Sequence, residues 1–156
     1  MAKWDDVLRN IHCGLFVVTT KSGDKINGMT VAWMTRASIE PPMVSVSIGK
    51  TRYSHGLIQE SGVFAVNILK EGQVDVGKHF GLQSGKRVNK FDKIDYEIKV
   101  TGSPILKNIA GYLDCKVVSS CDAGDHTIFV GEVVDAGTSP NAKPLLYVHE
   151  DFWGKK

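Results

Sequence analysis

The feature that most constrains this chain is its series of β-branched runs at short spacing, each closed by a turn. Leu15-Phe16-Val17-Val18-Thr19-Thr20, Ile26 to Trp33, Met43 to Ile48, Val63 to Leu69, Gly111 to Cys121 and Thr127 to Ala136 all read as strands, and Leu145 to Val148 reads as a last short one. Lys21 to Lys25 and Ala123-Gly124-Asp125 supply turns, and Glu40-Pro41-Pro42 breaks the segment that continues past Trp33 through Met34 to Ile39. Helical spacing occurs only briefly, over Trp4 to Ile11, Tyr53 to Glu60 and Gln73 to Phe80. Gly14, Gly62 and Gly81 act as their stops, and the polar stretch from Leu82 to Asp95 reads as a surface loop. Helices this few cannot support a βαβ repeat. The fold expected is mainly β: an antiparallel barrel or sandwich in a single domain over residues 1–156.

Composition narrows the function classes. A net charge of +2 is too small for a general nucleic-acid binder. No apolar run is long enough to span a membrane, and Met1 to Asp6 has no apolar h-region, so a cytoplasmic protein is expected. Three cysteines, Cys13, Cys115 and Cys121, lack CxxC spacing and are expected to be buried free thiols rather than a disulfide framework or a zinc or rubredoxin-type site. His12, His55, His79, His126 and His149 show no i, i+4 pair, which argues against a metal site. Gly81 to Arg87 looks like a phosphate loop but is one residue short and ends on Arg87 where Ser or Thr is needed.

Three segments carry candidate chemistry. Gly49-Lys50-Thr51-Arg52-Tyr53-Ser54-His55 lies between a strand and a helix and brings two cations and two hydroxyls to a helix start, which suits a phosphate dianion. It reads equally as a solvated loop with Ser54 as N-cap. Asn27-Gly28-Met29-Thr30-Val31-Ala32-Trp33 sets polar groups beside an apolar run, with Gly28 allowing close approach of a ligand; the plainer reading is a hairpin strand with a bulge. Asp125-His126 at the mouth of a strand is either a proton donor or cofactor contact, or a simple turn.

Taken together, in this order and register, these segments resemble the flavin reductase-like family, whose fold is the FMN-binding split barrel. Ser38 to Ile48, Val66-Asn67-Ile68-Leu69, Val88-Asn89-Lys90-Phe91 and Gly124-Asp125-His126 add to the match, which runs from about Asn10 to Trp153. The likeness is nearest to the flavoredoxin and high-molecular-weight rubredoxin branch. The resemblance implies an antiparallel Greek-key split barrel with a few short helices, a homodimer, and FMN near the subunit interface. It implies that Met29, Thr30, Val31, Ala32 and Trp33 meet the polar edge of the isoalloxazine through their backbone. Ser47, Ile48, Gly49, Lys50, Arg52, Tyr53, Ser54 and His55 would surround the ribityl phosphate. Lys90 and Phe91 would lie against the flavin, and His126 would face the nicotinamide side as the catalytic residue. Trp33 departs from the family, where a small polar residue is common. The activity implied is electron transfer from NADH, NADPH or a redox protein through FMN to flavin, ferric iron, oxygen or rubredoxin. Since the chain has no rubredoxin cysteines, rubredoxin would be a separate partner. The alternatives are an FMN-binding module without turnover and a dimerisation domain without flavin.

Overall fold

In the computed structural model, which describes residues 3–154, strand alternation is what organises the chain. A helix α1 (Asp5–Leu8) leads into β1 (Phe16–Ser22), which turns tightly at Gly23-Asp24 into β2 (Lys25–Val31). Then come β3 (Met34–Ser38), β4 (Met43–Gly49), α2 (Tyr53–Ser61), β5 (Val63–Ile68) and α3 (Val74–Gly81). Two three-residue strands, β6 (Tyr96–Ile98) and β7 (Pro104–Leu106), pair with each other. The long hairpin of β8 (Gly111–Ala123) and β9 (His126–Thr138) follows, and α4 (His149–Trp153) closes the series.

The main sheet is antiparallel throughout, in the order β2-β1-β5-β8-β9-β4-β3. Each jump in sequence order across this sheet is a Greek-key crossing, so the mainly β, split-barrel expectation holds. Period-two alternation fills both faces of β1. Val18 joins a cluster with Val46, Ile48, Ile58, Phe64, Val66 and Phe129, while Val17 joins Leu15, Leu69, Phe80, Ile105 and Ile109 on the other side. Asn67 knits the second cluster together. Its Nδ2 donates to Val17 O at 3.0 Å, and its Oδ1 accepts from Leu106 N at 2.7 Å. On β8, residues 118–123 extend beyond the end of β5, which pairs only as far as Lys116; their outer edge has no partner strand among the described residues.

Several sequence expectations need correction. The first helix covers only Asp5–Leu8, because none of its side chains is buried against the barrel. Leu145 to Val148 forms no strand; Leu146 makes an isolated bridge to Gly14, and Pro144 one to Lys70. The cysteines are not uniformly buried: Cys115 is, Cys13 is half-buried and Cys121 is exposed. The stretch from Leu82 to Asp95 is a loop, yet Lys90 and Phe91 within it are buried. Among the described residues no helix is long and apolar enough to cross a membrane.

Candidate functional site

Four pieces of chain converge at one end of the barrel: the corner between β2 and β3, the end of β4, the start of α2, and the tip of the β8–β9 hairpin. The β4–β9 register sets Gly49 opposite His126 and Ile48 opposite Thr127. The turn after β4 is tied to the hairpin tip, with Lys50 N donating to Asp125 O at 2.9 Å. The Lys50 ammonium also pairs with Asp122 at 3.3 Å. The β2–β3 corner is fixed to β4 by Ser47 N donating to Trp33 O at 3.0 Å, and the exposed Trp33 ring lies 4.9 Å from the His126 ring.

Gly49 matters because of what surrounds it. A Cβ there would stand 3.3 Å from Arg52 Cγ and 3.7 Å from His126 Nε2, so the glycine leaves a shallow concavity between those side chains. Arg52 is the N-cap of α2, with no side-chain cap bond, so the helix head is left open to an anion. Ser54 is therefore not the N-cap. It is almost wholly buried, and its Oγ accepts from Asn27 Nδ2 at 2.8 Å, which pins the first turn of α2 to β2.

His126 Nδ1 lies 2.7 Å from Asp125 Oδ1. A carboxylate only accepts, so Nδ1 carries the proton, and in the neutral ring Nε2 is the lone-pair nitrogen turned toward Gly49. That hydrogen bond holds the exposed Asp125 carboxyl below its usual range. His55 points the other way. Its Nε2 is 2.8 Å from Thr127 Oγ1 and its ring meets Phe129 edge-on. Burial, then the Lys50 charge, lowers its pKa, against a smaller opposing pull from Asp122.

The structure brings Trp33, Ser47, Gly49, Lys50, Arg52 and His126 together. Val31 and Ile48 send their side chains into the core, leaving only backbone for a ligand, while Met29, Ala32 and Tyr53 are half-buried around the same corner. Thr30 donates its hydroxyl to Gly77 O at 2.6 Å, which joins β2 to α3. Gly28 also faces α3: a Cβ would meet the Phe80 ring at 3.0 Å, so the close approach it allows is that of Phe80 and not of a ligand. Phe91 packs edge-on to Phe80 at 5.4 Å. Lys90 donates to Gly28 O and Phe80 O, each at 2.8 Å, behind the β2 corner. Both of these side chains are thus engaged within the chain's own interior. Sequence reasoning missed Asp122, which reaches Lys50 from the far strand. It also missed Gly85, above which a Cβ would run into Asn27 and Tyr53 Cδ1 (2.9 Å). Asp122 lies in a stretch that does not look functional by residue type, and Gly85 lies in the Gly81 to Arg87 segment that fails as a phosphate loop.

The donor set fits a flavin nucleotide. Two cations and an uncapped helix head suit the phosphate, and backbone at 29–33 and 47–49 beside an exposed indole suits a planar ring. The comparisons agree. A profile for the flavin reductase like domain matches residues 8–154. The chain is 32% identical to the high molecular weight rubredoxin of Moorella thermoacetica over 144 residues, covering 91% of this chain and 63% of that protein. It is 32% identical over 139 residues to the ferric-chelate reductase (NAD(P)H) of Archaeoglobus fulgidus, covering 88% of this chain and 82% of the other. Among solved structures, the NADH:FAD oxidoreductase SgcE6 of Streptomyces globisporus superposes with a TM-score of 0.86 at 30% identity, over 94% of this chain and 91% of that one.

Proposed function

Because the chain belongs to the flavin reductase-like family, whose oxidoreductase character it shares, we propose that it binds FMN at the head of α2 and passes electrons through it. Bound flavin would supply the redox chemistry, taking up a hydride and releasing electrons singly or in pairs. The observation that carries the reading is the open helix head at Arg52, with Lys50 beside it and Gly49 leaving room below. Lys50 and Arg52 would hold the phosphate, and the Met29–Trp33 and Ser47–Gly49 backbone would border the ring.

NADH or NADPH is the proposed donor, since relatives are named for both nicotinamides and a structure of SgcE6 holds NAD and FAD fragments. Acceptors suggested by the relatives are free flavin, ferric chelates and rubredoxin. His126, with Asp125 fixing its tautomer, is proposed to contact the donor. The protein is further proposed to be a homodimer. Trp4, Val7, Leu8 and Ile11 leave an apolar face uncovered, and Leu146 and Trp153 lie exposed on the segment that Tyr147 N ties to Cys13 O. Three free cysteines suit a reducing compartment such as the cytoplasm.

Comparing FMN with riboflavin by fluorescence titration tests the assignment. FMN is expected to bind more tightly, and Arg52→Ala to weaken it by about 1.5–3 kcal/mol while leaving riboflavin unchanged. Equal affinity for the two flavins in the unaltered protein refutes the phosphate site. Anaerobic mixing with NADH or NADPH then separates turnover from simple flavin binding, because only turnover bleaches the flavin.

A further inference from the structure

Lys90 is a buried ammonium group with no counter-ion. Only 4% of the residue is exposed, and its Nζ donates to Gly28 O and Phe80 O at 2.8 Å each. Among the described residues no carboxylate lies within ion-pair distance of it. A buried cation without such a partner is costly, and the usual resolution is loss of the proton. The charge that bears on it is Arg52, at the open head of α2. β2 offers it only a carbonyl. α3 offers Phe80 O and His79, whose Nε2 lies 2.7 Å from the carbonyl oxygen of Lys90 itself. Lys86, Arg87, Asp92 and Lys93, on the same loop, are all exposed. The two sites are mechanically joined as well. Gly28, whose carbonyl Lys90 holds, adjoins Asn27, whose amide is bonded to Ser54 in the first turn of α2.

We propose that Lys90 is a positioning residue whose proton is linked to the anion site, so that a flavin phosphate at the head of α2 binds with uptake of a proton by the Lys90 amine. The phosphate would offset the repulsion from Arg52 and favour the ammonium form. That form grips Gly28 O and Phe80 O and so steadies the strand leading into Met29–Trp33. The inference rests on the FMN reading above and adds to it a coupling between phosphate and ring edge. Burial, then Arg52, brings Lys90 down to about 8 from its ordinary 10.5, which puts the coupling within reach of experiment.

The test is calorimetric titration of the full chain with FMN, in buffers of different ionisation enthalpy, from about pH 7 to about pH 9.5. Below about 8 Lys90 is already charged in the free protein, so FMN should bind without proton uptake. Above it, uptake should rise toward one proton, and affinity should fall by up to about tenfold per pH unit. Lys90→Arg keeps the donor and never loses its charge, so its affinity should be flat over the same range. Riboflavin shares the ring and lacks the phosphate, so it should show no uptake. A flat profile in the unaltered protein, or an unchanged slope in Lys90→Arg, overturns the proposal and leaves the FMN site standing. Failure to bind FMN at any pH overturns both.

Discussion

At the scale of single residues, the site is built from side chains whose polar ends are committed before any ligand arrives. Asn27 holds Ser54, Thr30 holds Gly77, and His55 meets Thr127. His126 differs, because Asp125 takes only its Nδ1 and leaves Nε2 facing Gly49. If that nitrogen helps place the donor, His126→Ala should retain FMN affinity within about twofold and slow reduction by NAD(P)H by about tenfold or more. Stopped-flow measurement on flavin-saturated variant decides the matter. An unchanged rate per bound flavin, with lowered thermal stability, would make Asp125-His126 a structural turn only. Residue type in the sequence pointed to Lys50, Arg52 and His126, because charge and titratability are visible without a fold. It gave Lys90 the wrong surroundings: a lysine in a polar, Gly-containing loop looks solvated, and only the placement of Phe80 and Gly28 around it shows the burial.

At the scale of elements, the strands were legible because alternation and β-branching are local properties, and β1, β4, β5, β8 and β9 fall where those runs lie. What escaped were β6 and β7, too short for a period to register, and α4, which begins directly after the apolar stretch Leu145 to Val148 that reads as a strand. Spacing of apolar residues likewise overstated α1, since a pattern makes a helix only where something covers its face. The helix that matters for the site, α2, ends at Gly62 with φ at 68°, in the left-handed region, where Gly62 N donates to Ile58 O at 2.8 Å. Gly62→Ala should therefore lower stability by about 1 kcal/mol in a urea titration, with no change in the slope of the transition. The concavity at Gly49, at the opposite end of α2, should bind FMN as before.

On the scale of the whole molecule, the barrel covers its own interior but not its terminal segments. α1 leaves Trp4, Val7, Leu8 and Ile11 more than half exposed, and Trp153 is 65% exposed. A second copy covering these side chains would remove them from water, and light scattering at micromolar concentration should then give about twice 17.1 kDa. A monomer that still binds FMN would confine the flavin site to one chain. The open outer edge of β8 has a different consequence. Unpaired backbone over residues 118–123 is a template on which another chain could add a strand, and Val117-Val118 would favour it. Charges bracket that edge, Lys116 at one end and Asp122 at the other, and such gatekeepers discourage stacking of copies. Asp122 is also the carboxylate that pairs with Lys50 at the proposed phosphate site. On the proposed reading, one side chain would thus serve both the flavin phosphate site, through Lys50, and the guarding of an open strand edge, so a change at Asp122 should be felt in both FMN affinity and solubility.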